Sequence, residues 1–393
     1  MPSVFCISLY FWLNLERMCD IIIFNYGIYG KGGGKMKGKI QDENFYRNET
    51  AEESSVVWFE LPCDKFEIYG VTPEENGILS RRMPLDVAYT VSGDVASMCG
   101  YGAGGRVLFS TDSAFVAVKA EYKNGGVPTI CNYCVCYGFD LYKSDKNGQE
   151  SFVGACRPVN EFDHKNAEYK VDTNNMGEMT YYTLNMPVFS EVKKLWIGLE
   201  KGSQLGKGKN YRNNKPVVFY GSSITHGAAA GRPGNIYENF IAQKYNLDYI
   251  NLGFTGSARG EEAMARYISG LDMSVFVCDY DYNAPDTEHL RKTHFPFYEI
   301  IREKHPDIPY IMISRPNFSP YNDDNERRKV IIESFEKAKK NDKNVYFIDG
   351  ETLFDGEFKN SCTSDGVHPN DLGFYRMADK IGTVIAQVLA INL

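Results

Sequence analysis

Five short apolar runs in the second half of the chain, at 217–220, 249–252, 275–278, 310–314 and 345–348, leave little choice of architecture. Each is too short for a core helix and too continuously apolar for a strand with one wet face, so each reads as a strand buried on both sides. Stretches with helical spacing of apolar residues lie at 237–245, 260–269, 287–304, 326–341 and 373–389. Strand and helix in strict alternation build parallel βα units. Residues 215–393 are therefore predicted to form a flavodoxin-like, three-layer α/β/α domain.

The first run, Val217-Val218-Phe219-Tyr220, stops at Gly221 and continues as Ser222-Ser223-Ile224-Thr225-His226-Gly227. A tight turn there puts Ser223 at the carboxyl end of a strand, where open α/β sheets keep their ligands. Its other role, as a helix cap, can equally be filled by Ser222 or Thr225. A serine hydroxyl is unreactive until a base takes its proton. The candidate base is far downstream, in Asp365-Gly366-Val367-His368-Pro369-Asn370. Of the six histidines (His164, His226, His289, His294, His305 and His368), only His368 follows an aspartate by three residues at the start of a final helix. His226 is its rival by proximity. A residue on the same turn does not reach the hydroxyl in line, so His226 is expected at the substrate instead. Asp365 orients His368 on this reading; its alternative, capping the last helix, is work that Pro369 and Asn370 can do.

The first half of the chain has another texture. Period-two or continuously apolar segments recur at 87–91, 107–109, 115–121, 133–142, 181–184 and 194–199, separated by turn clusters such as Asn124-Gly125-Gly126 and Asp145-Lys146-Asn147-Gly148. Short strands at this spacing predict a β-sandwich, jelly-roll-like, over 56–205. Residues 206–214, rich in Gly, Lys and Asn, read as a linker, and 1–55 as an N-terminal extension. Within the extension, 4–15 is apolar but lacks a basic leader and a cleavage site, and Glu16 and Arg17 cut it short of a membrane span. Gly30-Lys31-Gly32-Gly33-Gly34-Lys35 precedes Met36 with the purine-rich coding of a bacterial ribosome-binding site. Translation is therefore expected to begin at Met36, a weak membrane anchor being the other reading of 1–35.

A net charge of −8, with no basic stretch, excludes a nucleic-acid partner and disfavours an anionic membrane surface. Cys131, Cys134 and Cys136 cluster among the ten cysteines, but no second pair lies at zinc-ligand spacing, so no structural metal is expected. The remainder read as buried thiols in a reducing bacterial cytoplasm. No GxGxxG, phosphate loop or acidic metal cluster occurs, and no cofactor is inferred.

The two ends of this pattern, Ser223 and Asp365…His368, resemble the first and last blocks of the SGNH (GDSL-type) hydrolases. Asn251-Leu252-Gly253-Phe254-Thr255-Gly256-Ser257 resembles the second block, and Asp279-Tyr280-Asp281-Tyr282-Asn283 stands where the third supplies its asparagine. The resemblance implies a Ser223–His368–Asp365 triad and an oxyanion hole of the Ser223 and Gly256 backbone N–H groups with the Asn283 side chain. Gly256 is expected to be small so that backbone approaches substrate, and Gly253 to make the turn. Two departures stand out: Ser222 replaces the family's usual aspartate, and Asn283 sits outside the usual Gly-x-Asn-Asp. Asp279 and Asp281 would then lie near the base or a polar substrate, and Arg232 and Arg315 beside the acyl or leaving group; both arginines read equally as turn residues. In the first half, Gly138-Phe139-Asp140-Leu141-Tyr142 resembles the GxDLY motif of a β-sandwich domain that precedes some SGNH-type esterases.

The expected activity is serine carboxyl-ester hydrolysis, on a small-molecule or oligosaccharide ester and most simply an acetylated carbohydrate. The alternatives are a lysophospholipase or thioesterase of the same superfamily, and a carbohydrate-binding protein that has lost catalysis. The role of the sandwich stays open between binding glycan, closing over the site and joining a homo-oligomer.

Overall fold

A computed structural model describes residues 50–74, 77–145, 148–157, 165–316 and 324–391. The reading of 1–35, most of the 36–55 lead-in, His164 and the Lys146-Asn147 turn tip lie outside the described residues.

The first half forms two antiparallel sheets. One has the order β1-β9-β4-β7, from β1 (Val56–Glu60), β4 (Phe115–Gly125), β7 (Asn166–Asp172) and β9 (Ser190–Glu200). The other runs β10-β3-β8-β5-β6, with β2 beside β3, from β2 (Glu67–Tyr69), β3 (Arg106–Thr111), β5 (Phe139–Ser144), β6 (Glu150–Cys156), β8 (Thr180–Asn185) and β10 (Leu205–Lys207). Val116, Val118, Leu195 and Ile197 of the first sheet meet Val107, Phe109, Leu141 and Leu184 of the second in one apolar cluster, the sandwich core.

Three details depart from expectation. Residues 87–91 are helical, within α1 (Leu85–Val91), which follows Pro84 and leads into α2 (Gly93–Met98). Their β-branched alternation gives way to packing, because Ala88 and Val95 are fully buried in the same cluster as Met264 and Ile268. The expected strand 133–142 is a helix, α3 (Tyr133–Tyr137), followed by β5: Asn132 caps it, accepting from Val135 N at 3.0 Å, and Gly138 ends it. Gly206 and Lys207 are not linker but pair with Ser110 and Phe109 as part of β10.

The second half is a five-stranded parallel sheet in the order β12-β11-β13-β14-β15: β11 (Val217–Gly221), β12 (Tyr249–Gly253), β13 (Val275–Asp279), β14 (Tyr310–Ile313) and β15 (Val345–Ile348). The helices are α4 (Ser223–His226), α5 (Tyr237–Tyr245), α6 (Glu262–Ser269), α7 (Thr287–Lys304), α8 (Asp324–Lys339) and α9 (Asp371–Val388). The pleat sorts side chains by parity. Val217, Phe219, Val275, Val277, Ile311 and Ile313 enter the cluster with α5 and α9. Val218, Tyr220, Phe276, Cys278, Tyr310 and Met312 enter the other, with α6 and α7. The first of these clusters is continuous with the sandwich core, and the described residues belong to a single compact unit within Asn48–Leu393.

Among the described residues, no helix is long and apolar enough to cross a membrane, no His/Cys/Asp/Glu group is arranged to hold a metal, and the eight described cysteines are unbridged.

Candidate active site

The strand order reverses at β11, with β12 on one side and β13 on the other, which is where such sheets open a crevice at their carboxyl ends. Ser223, Gly256 and Asn283 follow β11, β12 and β13 in turn. Ser223 starts α4. Ser222 caps that helix, its Oγ accepting from Ile224 N at 3.2 Å, and Gly227 ends it at φ 102°. Ser222, where the family usually has aspartate, thus caps the turn by its hydroxyl, and Ser223 keeps its own side chain for other use.

His368 approaches from the loop before α9. Its Nε2 lies 2.9 Å from Ser223 Oγ, and its Nδ1 lies 2.8 Å from Asp365 Oδ2. The carboxylate's other oxygen accepts the backbone N–H groups of Val367 at 2.9 Å and His368 at 2.8 Å. One oxygen therefore closes the loop while the other holds the ring. Burial works to raise the Asp365 pKa, but the backbone and ring donors of His368 outweigh it and hold the carboxyl at about 2. Helix capping falls to Asn370, whose Oδ1 accepts from Leu372 N and Gly373 N at 3.1 and 3.2 Å. The Asp365 side chain is 32% exposed, against 20% for His368. With Nδ1–H donated to Asp365, Nε2 accepts from the serine hydroxyl, an arrangement that can take the hydroxyl proton and return it to a leaving group.

The loop after β12 is held at nearly every peptide. Gly253 N donates to Asn251 Oδ1 at 2.9 Å, Phe254 N to Gly221 O at 2.9 Å, and Thr255 N to His226 Nδ1 at 3.3 Å. Phe254 O accepts from Ser257 N at 3.0 Å and from Asn283 Nδ2 at 2.8 Å. Among the described hydrogen bonds, the N–H of Gly256 donates to none, nor does that of Ser223, which as the first residue of α4 has no intrahelical acceptor. Two idle amides, one of them Ser223's own, and an asparagine amide with one proton spent thus stand in the segments that follow β11, β12 and β13.

The two glycines are required for different reasons within the chain itself. A Cβ on Gly253 would lie 2.2 Å from His226 N, so closeness forbids a side chain there; a Cβ on Gly256 would meet nothing within 4 Å, and what it requires is φ +71°.

The structure buries His226 and Arg315, and it places Arg232, 28% exposed, at a cavity with Cys134, Phe152 and Gly231 that is separate from the one Gly256 lines. His226 is fully buried, not at the substrate. Its Nε2 donates to Val188 O at 3.2 Å, which leaves Nδ1 to accept from Thr255 Oγ1 at 2.9 Å, and its ring stacks on Phe189 at 4.5 Å. Burial, helped by the Arg82 charge, pushes its pKa well below the usual value, so the ring is neutral. Arg315 pairs with buried Asp281 at 3.1 Å and lies 4.4 Å over the Tyr282 ring. Asp279 is 1% exposed, its pKa driven up by burial first, and Asp281 is 1% exposed. Neither therefore faces a substrate.

Arg232 explains the GxDLY motif. Asp140 is fully buried and accepts from Asn185 Nδ2 and from Gly234 N, each at 2.8 Å, while Arg232 Nε lies 3.2 Å from it. Arg232 Nη2 donates to the Tyr142 hydroxyl at 2.9 Å. A Cβ on Gly138 would strike Cys134 O at 2.4 Å, and Leu141 fills the core. The motif is the clasp that fastens the loop after the serine helix to the sandwich.

A fold of this kind with this site is that of an esterase. The GDSL-like lipase/acylhydrolase family matches residues 214–386, and the GxDLY domain, the N-terminus of SGNH-hydrolase-type esterases, matches 56–205; the chain belongs to these acylhydrolases. A Bacteroides ovatus protein assigned as a GDSL-like lipase is 27% identical, with a TM-score of 0.77 over 86% of this chain and 99% of that one. The salicylyl-acyltransferase SsfX3 of a tetracycline biosynthetic pathway is 21% identical, with a TM-score of 0.70 over 86% and 99%. The acetyl xylan esterase Est2A of Butyrivibrio proteoclasticus is 14% identical, with a TM-score of 0.54 over 86% and 100%. The last two share the fold alone. No curated protein matches the chain.

Proposed function

We propose that the protein is a serine ester hydrolase working through Ser223, His368 and Asp365, and that it removes acetyl or other short acyl groups from carbohydrate. The observation that carries this reading is the unbroken relay from Ser223 Oγ through the imidazole to Asp365, at 2.9 and 2.8 Å, beside two unspent backbone N–H groups. His368 takes the serine proton as Oγ bonds to the ester carbonyl carbon. The oxyanion is held by the N–H groups of Ser223 and Gly256 and by Asn283. The carbon–oxygen bond to the alcohol then breaks, with His368 protonating the departing oxygen. Water, deprotonated by the same ring, releases the acid and restores the serine.

The cavity against Gly256, about 650 Å³, mixes apolar side chains (Met98, Val127, Pro128 and Phe189) with polar ones, and the polar share suits a short acyl group on a hydroxyl-rich alcohol. Asp94, Ser97, Tyr101, Thr255 and Ser257 all face it. The test is hydrolysis of acetylated oligosaccharides and of nitrophenyl esters of rising chain length. Acetate should be preferred, and Ser223→Ala should abolish turnover. Unchanged hydrolysis by Ser223→Ala refutes the site, and a preference for long chains refutes the acetyl assignment.

A further inference from the structure

Arg82 belongs to the first half of the chain, between β2 and α1, yet its side chain ends beneath the loop that carries Gly256. Nη1 donates to Gly253 O at 2.8 Å, Asn251 O at 3.1 Å and Asn251 Oδ1 at 3.3 Å. Nη2 donates to Met98 O at 3.0 Å, and the guanidinium lies 4.8 Å from the centre of the Phe254 ring. The residue is 3% exposed, and among the described residues no carboxylate ion-pairs with it. A buried charge with only carbonyl partners is a poor way to hold a fold together, since a well-packed apolar side chain of similar volume commonly does as well or better.

What a guanidinium offers and an apolar residue does not is a rigid fork that fixes several oxygens at once. The oxygens it fixes belong to one place. Asn251 Oδ1 holds Gly253 N, and Asn251 Nδ2 reaches Thr225 O at 2.5 Å, in the serine helix. Gly253 O and the Phe254 ring are the start of the loop that turns at Gly256. Arg82 is thus bound to the end of β12 directly and to the serine helix through the Asn251 side chain, and it fixes the 253–254 peptide from which the loop carrying the Gly256 N–H departs.

We propose that Arg82 is a positioning residue for ester hydrolysis, supplied by the sandwich half of the chain to hold the Gly253–Gly256 loop in the geometry that binds the oxyanion. This rests on the reading of Gly256 N–H as an oxyanion donor. Because donors aimed where charge develops act on the transition state, a loosened loop should lower kcat while leaving KM near its wild-type value.

The experiment is Arg82→Lys, which keeps the charge and gives up the fork, assayed on nitrophenyl acetate beside wild type and Ser223→Ala. If wild type hydrolyses no ester, or Ser223→Ala hydrolyses it equally well, the underlying reading is what has failed. Given a Ser223-dependent wild type, Arg82→Lys that melts cooperatively should lose at least about tenfold in kcat, short of the ~10²–10³ for a deleted donor, at nearly constant KM. Its affinity for a boronic-acid inhibitor, which forms a tetrahedral adduct on the serine, should fall in parallel. Unchanged kcat in the folded variant, or a change confined to KM, overturns the proposal. Should Arg82→Lys fail to fold, Phe254→Leu decides: it removes the ring over which the guanidinium lies and spares the backbone bonds. A fall in kcat at constant KM supports the proposal, and wild-type kcat overturns it.

Discussion

Asp140 should make the protein less stable as the pH rises from 4 to 7, and Asp140→Asn should repair this. Complete burial pushes the Asp140 pKa up to about 6, with Asn185, Gly234 and Arg232 pulling back against it. A carboxyl that binds its proton more tightly in the fold than in the open chain contributes stability below its ordinary pKa, and that contribution is lost as the pH climbs through the folded value. The interval between 3.8 and about 6 corresponds to about 3 kcal/mol at neutral pH. Asparagine mimics the neutral form. Its oxygen keeps the Gly234 N–H, and its amide can meet Asn185 if that side chain turns over its buried Oδ1, which has no partner as it stands. Alanine offers neither, and leaves the Gly234 and Asn185 donors unpaired at about 1–3 kcal/mol each. Urea unfolding followed by tryptophan fluorescence at pH 4, 5, 6, 7 and 8 separates the cases. Wild type and Asp140→Asn should coincide at pH 4 and diverge by up to about 3 kcal/mol in favour of asparagine by pH 7. Asp140→Ala should be the weaker protein at pH 4 by about 2–6 kcal/mol. An offset between wild type and Asp140→Asn that does not change with pH would falsify the reasoning, because the carboxylate would then be charged throughout and open to water.

Asp365→Asn keeps an oxygen for the Val367 and His368 amides but turns an N–H toward His368 Nδ1, forcing the ring proton onto Nε2, where it faces the serine. Because Asp365 is 32% exposed, we expect kcat on nitrophenyl acetate to fall ~10²–10³-fold, less than the ~10⁴ seen for a buried triad aspartate; a loss below tenfold would show that the ring needs no orienting. Gly253→Ala should cost about 1–3 kcal/mol of stability through overpacking against His226, whereas Gly256→Ala, with open space but φ +71°, should cost about 1–2 kcal/mol from backbone strain. Thermal melts check both, and a loss at 253 well below about 1 kcal/mol would contradict the assignment of closeness there. Asn283→Ala should lower kcat by ~10²-fold or more, and near-wild-type turnover would remove its amide from the oxyanion site.

The α/β half was readable because each of its strands is buried on both faces, so that 345–348 and the helices 237–245 and 287–304 end where composition says they should. The spatial meeting of Ser223, Asp365 and His368 followed from block order. The first half was harder, for identifiable reasons. β7 (Asn166–Asp172) has only one fully buried residue, Tyr169, and β6 (Glu150–Cys156) lies at a sheet edge with much of its length wet, so neither carries a strong apolar signal. Residues 133–137 had readable helix signals, an asparagine before and a glycine after, but their apolar content hid them. Arg82 left no local trace, because its partners at the site loop lie 169 and 171 residues away in sequence. His226 misled through nearness along the chain to Ser223, when its ring in fact turns away to Val188.

The sandwich core runs without a break into the layer beneath the parallel sheet, and this constrains how such a protein can be inherited or re-engineered. Grafting residues 215–393 onto a foreign partner would strand the loop at 234 without its clasp and the strand ends at 251 and 253 without their guanidinium. The hydrolytic half is therefore not a cassette. Shuffling has to move the pair as one gene, and libraries meant to change its substrate should draw boundaries outside both halves instead of at the junction between them.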